Sequence, residues 1–229
     1  MTTTLSFGDR LAGSPVHRKF QDHPFFAAVD TADLTKEQVA ILIEQWWHPL
    51  HYFPTFLARC VAVLPDIASK SAITRILNQE AGGGVVSQAH EVIYGDSMEK
   101  CGFDRERVTG TEPYAETAAL VEGYRNASDG RESALGFIFA TETTDLLMVS
   151  SIGKAIERTT GITDNEWVTI HIEQEPDHVE EANHALLSNF SAEQEDAVLR
   201  AANEMWKLWT AFFDRLVVET GITLPAPAR

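Results

Sequence analysis

The segment His171-Ile172-Glu173-Gln174-Glu175-Pro176-Asp177-His178 concentrates side chains able to bind a metal. On a helix turning about 100° per residue, Glu175 lies roughly 40° from His171, and His178 roughly 20° on the other side. All three share one stripe over two turns, while Glu173 points away toward solvent. Two imidazoles with a carboxylate suit iron, manganese or zinc. The plain alternative is a polar surface stripe. Upstream stand Glu80 and His90. That spacing puts them about 80° apart on an ideal helix, so they converge only where the helix breaks. Gly82-Gly83-Gly84 between them permits a break, at about 1 kcal/mol of helix propensity each. A simple turn between two shorter helices is the alternative. Phe139-Ala140-Thr141-Glu142-Thr143-Thr144-Asp145 sets Glu142 among apolar neighbours, where an acid is either solvated or buried with a partner. Asp145 follows one turn later. Helical bundles build di-iron sites by aiming carboxylates and histidines inward. Glu80, His90, Glu142, His171, Glu175 and His178 would supply both kinds, although the paired Glu-x-x-His of ferritin-like proteins is missing.

Helices must position these residues, because helical periodicity dominates the chain and no strand or hairpin pattern stands out. The spacing predicts a first helix over 15–29 and a second over 36–64. Thr35 and Gln38 would close a capping box on the second, and Pro49 and Pro54 should bend it. A third covers 66–101 and is interrupted by the glycines. A fourth runs from Glu112-Pro113 to about Asn126, a fifth over 131–159 and a sixth over 163–189. A seventh starts from the capping box Ser191-Ala192-Glu193-Gln194 and ends near Thr220. Residues 220–229 read as a frayed tail. No linker or repeat divides the chain, so the expectation is one all-α domain over 1–229, a single seven-helix bundle.

Composition narrows the partners. The 229 residues carry 18 Lys and Arg against 34 Asp and Glu, a formal net charge of −16. Nucleic acid and anionic membrane both require a basic face, so neither is expected as a partner. Apolar runs fall short of a spanning helix. The start MTTTLSFGDR has no apolar signal core, which suggests a cytoplasmic protein. Cys60 and Cys101 are too few for a disulfide scaffold and read as buried thiols.

The segments NQEAGGGVVSQAH, FATETTDLLMVSS and WVTIHIEQEPDH are similar to the three metal-binding stretches of the heme-oxygenase-like di-iron oxidases. Residues 35–190 carry the resemblance. It implies a heme-oxygenase-like helical fold, with Glu80, His90, Glu142, His171, Glu175 and His178 as the iron ligands and catalytic residues. It also implies two Fe(II) ions, O2 as co-substrate and a small metabolite as substrate. Family outcomes include N-oxygenation, oxidative C–C cleavage, desaturation and ring formation in biosynthesis. N-oxygenating members resemble each other in an extra Glu on an earlier core helix, and here His51-Tyr52-Phe53-Pro54-Thr55 holds no acid. ETTDLLMVS and the use of Glu175 are closest to members that cleave amino-acid side chains. The expectation is C–H abstraction from an amino-acid-like substrate.

The aromatic stretch around Trp46, Trp47, His48, His51 and Tyr52 is either core or a pocket wall, with Trp47 lining it and His51 as a polar contact. A substrate carboxylate would need a cation, and Lys154 and Arg158 are candidates. Asp145 and Asp177 could orient the histidines. A homodimer is compatible with a bundle of this size. Competing readings are a heme protein of the same fold using His17 or His23, a thiaminase-like hydrolase using a cysteine, and a non-catalytic metal-binding bundle.

Overall fold

Prolines and caps divide the N-terminal region more finely than its apolar pattern suggests. The computed structural model describes residues 6–186 and 190–224. Ser14 accepts from Val16 and His17 N–H and opens α2 (Pro15–Gln21), after α1 (Phe7–Ala12). His23 then caps α3 (Pro24–Val29) through Nδ1, which accepts the Phe25 N–H. Proline at each first helical position fits there because its missing N–H has no partner to lose. The expected helix over 15–29 is therefore two helices.

The remaining elements are α4 (Lys36–Val63), α5 (Ile67–Glu80), α6 (His90–Lys100), α7 (Arg105–Gly110), α8 (Ala115–Ala127), α9 (Arg131–Thr160), α10 (Glu166–Ala185) and α11 (Ala192–Thr220). The expected seven-helix bundle is thus corrected to eleven α-helices among the described residues, plus two short 3-10 turns at Gly82–Gly84 and Val86–Gln88. The glycines do divide the third predicted helix, into α5 and α6. Gly102, at φ +80°, ends α6, and Asp104 caps the unforeseen α7. Both predicted capping boxes form, at Thr35 and Ser191. Asn165 caps α10, two residues inside the predicted start, and the predicted end of that helix at 189 lies outside the described residues. The tail is ordered further than expected, since Ile222 is packed at 6% exposure. Its last residues, 225–229, lie outside the described residues.

Helix α9 is the axis of the fold. It packs against α10, α11 and α4 and is buried along most of its length. By length and composition alone it could cross a membrane, contrary to the sequence expectation, but 72% of its apolar stretch is buried within the protein. Gly136 lets α11 approach. A Cβ there would stand 2.5 Å from the Val198 carbonyl oxygen and 2.6 Å from the Ala201 Cβ. Further along α11, Phe213 meets Phe20, Phe25 and Phe26 of the N-terminal helices, with Trp209 and Phe212 beside it in one continuous apolar core. The fold thereby holds α9 between α10 and α4 and brings the end of α5 and the start of α6 against them.

Candidate metal centre

Helix α5 ends on Glu80, and α6 begins on His90. All three intervening glycines have positive φ, and Gly82 is the tightest. Its missing Cβ would lie 2.4 Å from the Ala89 nitrogen, so only glycine lets the chain reverse here. The turn sets His90 Nδ1 3.0 Å from Glu80 Oε2. His90 Nε2 lies 3.2 Å from Gln174 Oε1, to which its N–H can donate, and Nδ1 is the ring nitrogen that faces the carboxylate. On α10, His171 Nδ1–H donates to the Trp167 carbonyl at 2.7 Å. A carbonyl only accepts, so the His171 Nε2 lone pair is free, and it faces Asp145 Oδ2 at 3.9 Å. His178 Nδ1 lies 3.4 Å from Glu142 Oε2, and 3.9 Å from both Glu175 Oε2 and Glu80 Oε1.

Two groups result, Glu80 with His90 and His171, and Glu142 with Glu175 and His178. Within each, one ligand atom per residue lies within 4.8 Å of the others, and every residue is buried. Glu80 joins them, one oxygen facing His90 and the other His178.

The donor set fits divalent cations. His90 Nδ1, Glu142 Oε1, Asp145 Oδ2, Glu175 Oε1 and His178 Nε2 are buried without a hydrogen-bond partner among the described residues. A buried unpaired polar atom costs about 1–3 kcal/mol, so five in one cluster mark a place built for a ligand. Four carboxylates share the space, a charge that two divalent cations would balance. Hard carboxylate oxygens with imidazole nitrogens match iron or manganese.

Without cations the cluster is electrostatically frustrated. Burial, then the charges of Asp145 and Glu142, push the Glu175 carboxyl up to about 12. Burial and the Glu80 charge push Asp145 up to about 7. Burial also raises Glu142, more than its His178 partner lowers it. Burial opposes ionisation of Glu80 too, but the charges of His90, His178 and His171 win and hold it at about 2. Burial, then the His90 charge, lowers His171 to about 4. Burial lowers His178, but Glu142 outweighs it and takes the imidazole to about 9.

These directions set a pH dependence. A group raised in the fold contributes stability below its ordinary value, and that stability is lost as pH climbs to the folded value. Glu175 and His178 both lose it between pH 6.5 and 9. The lowered groups do not oppose them there, because the stability from His171 is complete above 6.5 and that from Glu80 above 4.5. The metal-free protein should therefore melt at a lower temperature at pH 9 than at pH 6.5. Manganese-loaded protein should lose less or gain, since binding displaces protons. Thermal unfolding with chelator and with Mn(II) checks this, and parallel falls in both series would contradict it.

The cluster opens on a small pocket. Trp46, Pro49, Leu50 and Phe53 of α4, Tyr124 of α8, Thr141 of α9 and Trp209 of α11 complete its wall. Tyr124 and Thr141 share a hydroxyl–hydroxyl bond of 2.9 Å. The sequence-predicted pocket residues lie elsewhere. Trp47 and His51 lie on a neighbouring face of α4 that turns toward α6, His51 bonding Glu91 at 2.7 Å near the surface. Lys154 is exposed and paired with Asp30 at 2.7 Å, and Arg158 with Asp33 at 2.9 Å. Periodicity does not say which side of an aromatic-rich helix faces a cavity, and so Trp46 stands where Trp47 was expected. Asp177 is exposed, outside the cluster, whereas Asp145 is inside it. Gln174 was overlooked, although it is one turn from His171 on the same stripe.

The competing candidates are engaged in packing. His17 stacks on Trp206 at 4.3 Å, and His23 bonds Asp214 at 3.2 Å. Cys60 and Cys101 are free and buried, and burial pushes both thiols up, which suppresses the nucleophilic thiolate.

The profile of a family described as iron-containing redox enzymes matches residues 40–210, a stretch that includes all six residues of the two groups. The chain belongs to that family. It is 27% identical over 161 residues to the 4-chloro-allylglycine synthase of Streptantibioticus cattleyicolor, a match covering 69% of this chain and 61% of that relative. It is 21% identical over 216 residues to the 4-aminobenzoate synthase of Chlamydia muridarum, covering 92% and 90%. The fold is heme-oxygenase-like. A Shewanella denitrificans domain of that fold, of unknown function, superposes with a TM-score of 0.76 at 20% identity, covering 96% of this chain and 95% of that one. A CADD-like protein of unknown function from Nostoc punctiforme gives 0.77 at 16% identity, covering 95% and 96%.

Proposed function

We propose that this protein is an O2-dependent di-iron oxidase that removes hydrogen from a C–H bond of a small, amino-acid-like metabolite. The observation that carries the reading is the pair of buried His/carboxylate groups joined by Glu80 and opening on one apolar-walled cavity. Glu80, His90 and His171 would hold one iron, and Glu142, Glu175 and His178 the other. The irons would supply O2 activation and an oxidant strong enough for an unactivated C–H bond.

The chain's own residues do the rest. The Trp167 carbonyl and Gln174 fix the tautomers of His171 and His90. Trp46, Leu50, Phe53 and Trp209 keep water from the reacting carbon and hold an apolar skeleton. Tyr124 and Thr141 offer hydroxyls to a polar substituent. Among the described residues no Lys or Arg lines the cavity, so that wall provides no ion pair for a carboxylate, while Asp145 can meet a substrate amine. The names of both curated relatives denote the synthesis of amine-bearing carboxylic acids, which is compatible with a substrate of related chemistry.

Carbon-centred oxidation is favoured over N-oxygenation because α4 adds no acid to the cluster. Its buried carboxylate, Glu44, pairs with Arg107 at 2.6 Å, away from the cavity. The test is anaerobic Fe(II) titration, then O2 uptake measured with a panel of amino acids. About two irons per chain and substrate-stimulated O2 uptake are expected. Fewer than one iron per chain would overturn the reading.

A further inference from the structure

Trp167 fixes His171 through its carbonyl, and its indole begins a line of aromatic rings leading away from the cluster. That indole is 5.2 Å from the His171 imidazole and 4.9 Å from the Tyr94 ring. Tyr94 stacks on Trp47 at 6.3 Å. Trp47 is half-buried and stacks at 5.0 Å on His51, whose side chain is 60% exposed. A second arm comes from the cavity wall, where Trp209 stacks on Trp46 at 5.3 Å and Trp46 meets Trp167 at 6.1 Å. The two arms merge at Trp167 and leave through Tyr94 and Trp47.

Core packing requires apolar bulk, which Leu or Phe would supply. Here the two ends of the inner line, Trp167 and Trp47, hold indoles, which give up an electron readily, and Tyr94 lies between them. The proton chemistry also suits transfer. The indole N–H groups of Trp46 and Trp167 are buried without an acceptor among the described residues. An oxidised indole there keeps its proton, so the electron vacancy moves on instead of settling as a neutral radical. The Tyr94 hydroxyl donates to the Ile43 carbonyl at 2.6 Å, and a carbonyl is too weak a base to take the proton. Tyr94 thus bridges the two indoles without storing the vacancy. At the outer end, the indole of Trp47 lies beside the exposed His51–Glu91 pair, where a proton can be released.

We propose that Trp167, Tyr94 and Trp47 form a hole-export route, carrying oxidising equivalents to the surface when O2 reacts at the cluster with no substrate in the cavity. The proposal rests on the di-iron reading above. Trp167 would give one electron to the oxidised metal centre held by the cluster, which is thereby reduced by one. Trp167 recovers that electron from Trp47 across Tyr94. Trp47 releases its indole proton to solvent and is restored by one hydrogen atom, an electron and a proton, from a thiol or enediol reductant in solution. The metal ligands are thereby spared.

The experiment uses the whole protein loaded anaerobically with Fe(II), then exposed to O2 without substrate or reductant, with catalase present to remove diffusing peroxide. Peptide mapping by mass spectrometry locates oxygenated residues. The expected mark is on Trp47, suppressed by ascorbate and absent from metal-free protein. In Trp47→Phe the mark should retreat to Trp167 or Trp46, and iron binding should be lost after fewer aerobic cycles. Iron uptake and O2 consumption with no mark on Trp47, or a mark pattern in Trp47→Phe unchanged at every other residue, overturns the route alone. Failure to take up iron overturns the di-iron reading, and the route with it.

Discussion

Glu175→Ala should lose iron from the Glu142/Glu175/His178 group and abolish substrate-stimulated O2 uptake. The carboxyl is buried one turn from both His171 and His178, with Oε1 unpartnered and Oε2 3.9 Å from His178. Its removal leaves that group two donors, one imidazole and one carboxylate. Loss of even an outer-shell partner costs about 10–100-fold in metal affinity, and loss of a ligand should cost at least as much. The metal-free variant, by contrast, should be no less stable than the parent at pH 8. The missing group is one that burial and two neighbouring acids hold unionised up to about 12, so ionised solvent contact is lost on folding only in the parent. The variant therefore separates the two states of the protein, sparing the metal-free form and reducing the gain in melting temperature on metal addition. Iron stoichiometry after gel filtration and melting curves with and without Mn(II) measure both effects. Parental stoichiometry in the variant would remove Glu175 from the site.

Gly82→Ala should disrupt the other group without touching a ligand. At φ +75° an added Cβ falls 2.4 Å from the Ala89 nitrogen and 2.6 Å from the Gln88 carbonyl carbon. Both are backbone atoms and cannot swing aside, so the turn before His90 must move. His90 then leaves Glu80, and iron binding at that group fails while helix content by circular dichroism persists. Gly84→Ala is the matched comparison. It too has positive φ, at +90°, but nothing lies within 4 Å of the new Cβ. It should cost only the left-handed penalty of about 1–2 kcal/mol and keep both irons. Equal iron binding by the two variants would show that the close approach at Gly82 does not hold the ligand pair together.

What could be read from the sequence divides along physical lines. The His171/Glu175/His178 stripe is legible because all three share one helix, where the angle per residue is fixed. Glu80 and His90 are legible only through the glycines, since their meeting depends on a broken helix that periodicity cannot describe. Glu142 was ambiguous, because the burial of an acid depends on which helices surround it. The helix count failed at the N-terminus, where Ser14 and His23 cap short helices that Pro15 and Pro24 begin. It failed again after α6, where Gly102 and Asp104 set off the six-residue α7. Trp47, His51 and Lys154 were misplaced for another reason. An apolar residue can face a cavity or a neighbouring helix equally well, and a lysine finds acidic partners anywhere on a chain of net charge −16.

The ligand atoms come from α5, α6, α9 and α10, while most of the cavity's apolar wall comes from α4, α8 and α11. Substitutions at Leu50, Phe53, Tyr124 or Trp209 can reshape what the cavity admits without removing a donor to the metals. If the cluster acts as proposed, mutational drift in specificity is thus uncoupled from the machinery of oxygen chemistry. A lineage built on this arrangement can exchange one metabolite for another by single steps on three helices, each step leaving a protein that still loads its metals.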